Sequence, residues 1–161
     1  MNSVIVYGSR HGNTRTIAGS IASVIGREGS VRILSAEAAT GIAWSEVDLV
    51  VVGGPTEAYG ITPALEAFFA ALPAGALSGK AAAAFDTRLH WPRWLSGSAA
   101  NAIGLRLTEA GANIIAAEAS FLVAGSPPVN EPGETERAST WALALISALT
   151  SQSVLALTAS K

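Results

Sequence analysis

The sequence predicts a three-layer, doubly wound α/β domain with a five-stranded parallel sheet of order 2-1-3-4-5. Short β-branched runs alternate with longer Ala- and Leu-rich stretches along the 161 residues, which is the pattern of successive βαβ units. Half of the residues are apolar, as expected for a sheet that is covered on both faces. Five strands joined by crossover helices leave few right-handed arrangements, and this order is the commonest one at this size.

Length and composition predict one domain and exclude several functions. A chain of 161 residues can bury one substantial core but is too short for two ordinary domains. We assign residues 1–150 to the domain and residues 151–161 to a C-terminal tail that docks through Val154 and Leu157. With a net charge of −2, the chain lacks the excess of basic residues with which nucleic-acid-binding proteins neutralise phosphates. Because the chain has no cysteine, its redox chemistry must come from a cofactor.

The two ends of the chain predict a cytoplasmic protein without a membrane span. Only four apolar residues lead to Tyr7, and Gly8 and Arg10 follow, so the regions of a secretory signal are missing. No uninterrupted apolar run approaches the roughly 20 residues that cross a bilayer. We expect a monomer or a weak homodimer.

Five strands and four helices follow from the alternation of apolar patterns. The strands are expected at residues 4–7, 31–33, 49–52, 81–85 and 114–123, the last one uneven around Glu118. Pro63 suits the first turn of one helix, and Ser98 suits the N-cap of another. We read Glu134, Glu136 and Arg137 as the solvated start of the closing helix. The helices are expected at residues 14–25, 63–72, 98–111 and 134–149.

The predicted strand order places a ligand site outside the carboxyl ends of strands one and three, where the order reverses. The loop after the first strand combines hydroxyl, amide and basic side chains around a glycine at a helix N-terminus. Free backbone N–H groups and the helix dipole favour a phosphate there. An ordinary strand-to-helix turn capped by Asn or Thr selects the same residue types. The candidate residues are Ser9, Arg10, His11, Gly12, Asn13 and Thr14.

This loop resembles the phosphate loop of the flavodoxin family, which carries Ser/Thr-x-Thr-Gly-Asn-Thr directly after its first strand. The chain matches that motif from Ser9 to Thr14, except that His11 stands in place of the threonine at the third position. It has neither the lysine of the nucleotide P-loop nor the glycine spacing of the dinucleotide fingerprint. The resemblance implies that the loop holds the phosphate of FMN, to which Arg10 and His11 would add positive charge.

The loop after the third strand contains Pro55, Thr56, Tyr59 and Gly60. The resemblance implies that Tyr59 stacks on the isoalloxazine ring. It also implies that the Gly60 peptide turns its carbonyl toward the protonated N5 of the reduced flavin, a change that glycine tolerates. A turn whose Tyr59 packs on the next helix is the alternative. We read Glu57 as a solvated loop acid.

The loop after the fourth strand holds Asp86, Thr87, Arg88 and Trp91. The resemblance places backbone donors to the pyrimidine end of the flavin here, with Thr87 and Arg88 near O2 and N1. It also places a second ring-stacking residue here, for which we favour Trp91, with Trp94 and His90 as alternatives. The tryptophans could equally form a hydrophobic plug or a surface for a partner.

The resemblance covers residues 4–149 and implies a short-chain flavodoxin. Such a protein binds one FMN without a covalent bond and carries electrons between transient redox protein partners. Two alternatives stay open. One is an FMN-dependent NAD(P)H:quinone oxidoreductase, and the other is a flavin-free binding module that kept the fold.

Overall fold

The computed structural model describes residues 1–57 and 60–159 and shows strands and helices alternating along the chain. Two short 3₁₀ helices, Ala36–Ala38 and Trp44–Glu46, lie between the second and third strands. The strands are β1 (Asn2–Tyr7), β2 (Ser30–Ser35), β3 (Leu49–Pro55), β4 (Ala81–Arg88), β5 (Asn113–Ile114), β6 (Ala119–Ala124) and β7 (Val129–Asn130). The helices are α1 (Asn13–Ile25), α2 (Pro63–Ala70), α3 (Arg93–Ser96), α4 (Ala99–Glu109) and α5 (Glu134–Ala159).

The sheet has the order β2-β1-β3-β4-β6-β7, and β5 also pairs with β4. All of these pairs are parallel except β6 with β7. The predicted order 2-1-3-4-5 is confirmed, with β5 and β6 together forming the fifth strand. Residues 115–118 interrupt that strand, because four residues there face only two residues of β4, Ala83 and Ala84. The predicted unevenness around Glu118 is this interruption.

Alternate strand residues build two hydrophobic cores, one on each face of the sheet. Ile5, Val51 and Phe85 pack with α1 and the first half of α5. The neighbouring residues Val6 and Val52 pack on the other face, with α2 and α4. Because both faces are covered, the strands read as continuous apolar runs rather than as an alternation of apolar and polar residues. The predicted three-layer α/β architecture is confirmed.

Helix α5 continues to Ala159, ten residues beyond its predicted end at residue 149. Neither Gly nor Pro occurs after Gly133, so nothing in the sequence stops the helix. Residues 151–159 are exposed, with 56% exposure at Val154 and 69% at Leu157. The segment that we expected to be a tail docked through these two residues is therefore the exposed end of a long helix.

Helix α5 is also long and apolar enough, by length and composition alone, to cross a membrane. We expected no span because uninterrupted apolar runs are short, but residues 138–159 mix apolar residues with Ser, Thr and one Gln and carry no charge. Core helices of soluble proteins, which are mostly buried, meet the same criterion, but only 11% of the qualifying segment of α5 is buried, although Ala138, Ala142 and Leu145 belong to the core. The absence of a membrane span stays a prediction.

The start of α5 is anchored rather than solvated. Glu134 is only 5% exposed, and its Oε2 accepts hydrogen bonds from the N–H of Leu122 (2.7 Å) and from Arg137 Nη1 (2.6 Å). The Arg137 guanidinium lies 5.5 Å from the centre of the Phe121 ring. These contacts join the beginning of α5 to β6, which corrects our reading of Glu134 as solvent-facing, whereas Glu136 and Arg137 are exposed, as we expected.

Candidate functional site

A cleft of about 630 Å³ lies at the carboxyl ends of β1, β3 and β4, where the strand order reverses. This is where an open α/β sheet binds its ligand. Ten of the fourteen residues that we proposed from the sequence line the cleft. They are Ser9, Arg10, His11, Asn13, Thr14, Pro55, Thr56, Gly60, Thr87 and Arg88.

The first loop turns into α1 through Gly12, whose φ of 84° lies in the left-handed region that favours glycine. The Ser9 Oγ accepts a hydrogen bond from the Gly12 N–H at 3.0 Å, which closes the loop. In the part of the chain that the structure describes, no side chain caps α1. Its first N–H groups have no intrahelical acceptors. A helix end of this kind favours an anion.

Two polar side chains of the first loop bind the neighbouring walls of the cleft. Asn13 donates through Nδ2 to the Pro128 carbonyl at 2.8 Å, and its Oδ1 accepts from the Asn130 N–H at 3.1 Å. The hydroxyls of Thr14 and Thr87 lie 2.8 Å apart, and the two residues are 1% and 3% exposed. Asn13 and Thr14 therefore join the first loop to β4 and to the turn before β7.

The basic residues of the first loop lie at the mouth of the cleft. Arg10 and His11 are exposed, and both line the cleft. Arg10 Nε lies 3.5 Å from Glu57 Oε1, with the Glu57 side chain 31% exposed. This ion pair connects the first loop to the second. Our reading of Glu57 as a solvated acid is corrected, because Glu57 is a wall of the cleft.

The second loop is fixed to the end of β4. The Thr56 N–H donates to the Thr87 carbonyl at 2.8 Å, and the Gly60 N–H donates to the Glu57 carbonyl at 3.2 Å. Gly60 has a φ of 120°, a conformation that side-chain-bearing residues rarely adopt. Tyr59, which we expect to stack on a ring, lies outside the described residues. Its role stays a prediction.

The third segment brings Thr87 and Arg88 to the cleft. Arg88 Nη1 donates to the Trp91 carbonyl at 3.0 Å, which holds the guanidinium near the end of β4. Arg88 Nε is buried and finds no hydrogen-bond acceptor among the described residues. A buried donor without a partner is uncommon in folded proteins, so this wall has hydrogen-bonding capacity that none of the described residues uses.

The structure corrects the predicted contact at Asp86. This residue is fully buried, and its Oδ2 accepts hydrogen bonds from Thr56 Oγ1 (2.9 Å), Ser98 Oγ (3.1 Å) and the Ala100 N–H (3.1 Å). It therefore lies beneath the cleft, where it ties the second loop to the start of α4. Ser98 is the N-cap of α4, as predicted.

The structure does not bring Trp91 to the cleft, and its proposed stacking role stays a prediction. Trp91 is 57% exposed and is not among the described residues that line the cleft. The chain leaves the sheet after Arg88 and enters α3 at Arg93, which carries Trp91 to the surface. The two alternative stacking residues, Trp94 and His90, are also not among the described residues that line the cleft. Trp94 is 85% exposed, and His90 Nε2 contacts Glu131 Oε1 at 2.6 Å.

Six further residues line the cleft in the described part of the chain. Val123 comes from the fifth strand, and Pro128 comes from the turn after it. We did not include this region in the predicted site. The Pro- and Gly-rich segment 126–133 marks this turn in the sequence, and its place at the carboxyl end of a strand was the available signal. The lining residues that we did not propose are Glu57, Ile61, Pro63, Leu89, Val123 and Pro128.

The residues present fit a cofactor that has a phosphate group and an apolar part. One end of the cleft has the uncapped start of α1 with Arg10 and His11, which suits a phosphate. Elsewhere Ile61, Leu89 and Val123 supply apolar contacts. The buried, unpartnered Nε of Arg88 shows spare donor capacity beside them. The volume of the cleft lies within the range of cofactor sites, about 300–1,000 Å³.

Comparison with solved structures shows the same fold in proteins of low sequence identity. Flavodoxin 1 from Bacillus cereus superposes with a TM-score of 0.76 at 20% identity, covering 91% of this chain and 98% of that one. An archaeal flavodoxin gives 0.74 at 18% identity, with coverages of 93% and 99%. Rubredoxin oxygen:oxidoreductase from Desulfovibrio gigas gives 0.69 at 21% identity, covering 93% of this chain but 36% of that one.

Sequence comparison identifies the family directly. No curated protein sequence matches the chain. The family model described as the flavodoxin domain matches residues 4–91, which include the first two loops of the cleft and the end of β4. Since this match spans more than half of the chain, the protein belongs to the flavodoxin family.

Proposed function

We propose that the protein binds one FMN non-covalently in this cleft and carries one or two electrons between transient redox protein partners in the cytoplasm. The observation that carries the proposal is the cleft itself. It combines the uncapped start of α1, flanked by Arg10 and His11, with walls from the second loop and from β4. It lies at the position where the fold binds ligands, in a chain of the flavodoxin family.

The first loop would bind the phosphate of the cofactor. The N–H groups at the start of α1 and the Ser9 hydroxyl supply neutral donors. Arg10 and His11 would add basic side chains at the mouth of the cleft. Asn13 and Thr14 would contribute indirectly. Their hydrogen bonds to Pro128 and Thr87 hold the walls of the cleft in place.

The rest of the cleft would orient the ring system. Arg88 lies at the end of β4 with an unpartnered Nε and would face an electronegative edge of the ring. Tyr59 remains the proposed stacking residue, and the Gly60 carbonyl remains the proposed acceptor. The cofactor supplies the one- and two-electron chemistry that the side chains of this cysteine-free chain lack.

Flavin binding can be tested by titrating FMN fluorescence with the purified, flavin-free chain. We expect quenching with a Kd of about 1 μM or tighter, which corresponds to about −8 kcal/mol. A chain that is colourless and leaves FMN fluorescence unchanged at millimolar concentration would exclude the proposal. That result would instead support the flavin-free binding module.

Gly12→Ala is expected to weaken FMN binding about tenfold, because a φ of 84° strains an alanine by about 1–2 kcal/mol in the loop that binds the phosphate. Gly41→Ala is the matched control. Gly41 also has a positive φ, 63°, and an added Cβ there meets open space, as it does at Gly12. Gly12 lies between two cleft-lining residues, His11 and Asn13, whereas neither neighbour of Gly41 is among the described residues that line the cleft. Equal FMN affinities of the two variants would contradict a role for the first loop.

An FMN-dependent NAD(P)H:quinone oxidoreductase is the second candidate. The structural match to rubredoxin oxygen:oxidoreductase, of which this fold covers 36%, shows that the same fold occurs within an oxidoreductase. Steady oxidation of NAD(P)H with a quinone by the FMN-loaded chain would favour this candidate. Reduction of the bound flavin only by redox proteins would favour the electron carrier.

A further inference from the structure

We propose that Arg10 is the residue by which the cleft distinguishes FMN from riboflavin, and that Glu57 limits this selectivity by holding Arg10. The inference rests on the proposed function and concerns the same site. Arg10 provides the selectivity for the phosphate, and Glu57 opposes it. Both residues line the cleft, on different loops.

The neutral side chains of the first loop are largely used by the protein. Asn13 binds the Pro128 carbonyl and the Asn130 N–H. The Thr14 hydroxyl is buried against that of Thr87. The Ser9 Oγ accepts the Gly12 N–H, and the Ser9 O–H stays available as a neutral donor to a phosphate. The charge of a phosphate must therefore be met mainly by the start of α1 and by basic side chains.

Arg10 is available for this role. Its side chain is 71% exposed, and its one ion pair among the residues that the structure describes is the 3.5 Å contact between Nε and Glu57 Oε1. The guanidinium has five N–H donors in a planar fork that matches phosphate geometry. A phosphate carries more charge and more acceptor oxygens than one carboxylate. Arg10 can thus exchange an exposed carboxylate partner, which contributes little stability, for a phosphate.

Glu57 opposes this exchange because it is the partner that Arg10 must leave. Removing its charge while keeping its shape, as in Glu57→Gln, frees the guanidinium without opening the loop. Riboflavin lacks the phosphate, so its affinity reports on the ring site alone. The ratio of the FMN and riboflavin dissociation constants therefore isolates the contribution of the phosphate.

The experiment measures both dissociation constants by fluorescence titration for the full chain and its variants. Arg10→Gln is expected to weaken FMN about tenfold and to change riboflavin less than about twofold. Glu57→Gln is expected to strengthen FMN about threefold without changing riboflavin. Arg27→Gln and Glu37→Gln are matched controls, since both residues are exposed and neither is among the described residues that line the cleft.

The double variant tests whether Glu57 acts through Arg10. In the Arg10→Gln background, Glu57→Gln is expected to leave FMN affinity nearly unchanged, because no guanidinium remains to be released. The same gain in both backgrounds would overturn the proposed competition. Equal losses of FMN and riboflavin affinity in Arg10→Gln would show a structural role and overturn the selectivity.

Failure of the proposed function gives a different result. A chain that binds neither flavin overturns the proposed function together with this inference. A chain that binds FMN, but whose FMN-to-riboflavin ratio is the same in Arg10→Gln and Arg27→Gln, overturns the inference alone.

Discussion

Asp86→Ala is expected to lower the free energy of unfolding by about 3 kcal/mol. Asp86 is fully buried, and its Oδ2 accepts three hydrogen bonds, from Thr56, Ser98 and the Ala100 N–H. The two hydroxyls can turn to other acceptors, but the N–H of Ala100 is fixed by the backbone of α4. The variant therefore leaves a buried donor unsatisfied and also leaves a small cavity.

Urea unfolding followed by circular dichroism measures this loss. Asp48→Ala is the matched control, because Asp48 is exposed and accepts one hydrogen bond, from the Asn2 N–H at 2.7 Å. We expect this control to change the free energy of unfolding by less than about 1 kcal/mol. Similar losses in the two variants would contradict the role that we assign to Asp86.

The Asp86 contacts also predict an effect on the cleft. Thr56 lines the cleft and is held by Asp86 Oδ2 and by the backbone of Ala99. Without the carboxylate, the second loop loses one of its fixed points. We therefore expect Asp86→Ala to bind FMN more weakly as well, although Asp86 itself is buried beneath the cleft.

The strands and the place of the cleft could be predicted from the sequence because both depend on local patterns. Runs such as Leu49 to Val52 are apolar on both faces, which is typical of covered parallel strands. Once the strands were ordered, the reversal between β1 and β3 placed the ligand site. Polar loops with glycine directly after these strands then supplied its residues.

The role of Asp86 could not be predicted because β4 is longer than its apolar run. We ended the strand at Phe85, but it continues to Arg88. Successive side chains of a strand point to opposite faces. Thr87 accordingly lies on the same face as Phe85 and contacts Thr14, while Asp86 lies on the face of α4 and contacts Ser98. A loop has no such alternation, so the sequence prediction treated these residues as equivalent.

The role of Glu57 depends on contacts between distant parts of the chain. Arg10 and Glu57 are 47 residues apart in the sequence, as their numbering shows. They meet because β1 and β3 are neighbours in the sheet. The sequence predicted that the two loops meet, but it gave no signal for which side chains would pair across them. Ion pairs at exposed sites depend on rotamers rather than on residue patterns.

Gly53→Ala is expected to lower the free energy of unfolding by about 3 kcal/mol, at the upper end of the usual penalty for overpacking. Gly53 lies in β3 between Tyr7 of β1 and Phe85 of β4, and an added Cβ would overlap the Phe85 ring. Phe85 cannot move away, because it is fully buried and its ring is packed 6.1 Å, between centroids, from the rings of both Phe121 and Trp141.

Gly19→Ala provides the opposite result within the same chain. Gly19 lies inside α1, and an added Cβ there meets nothing within 4 Å. In a helix interior, alanine stabilises the folded state by about 0.5–1 kcal/mol relative to glycine. This variant is therefore expected to be more stable than the unmodified chain. Urea unfolding of both variants gives the comparison. Gly53 also accepts the Gly8 N–H through its carbonyl at 2.9 Å, where β1 and β3 diverge toward the cleft. If Gly53→Ala were as stable as Gly19→Ala, the close packing of β3 against Phe85 beneath the cleft would be wrong.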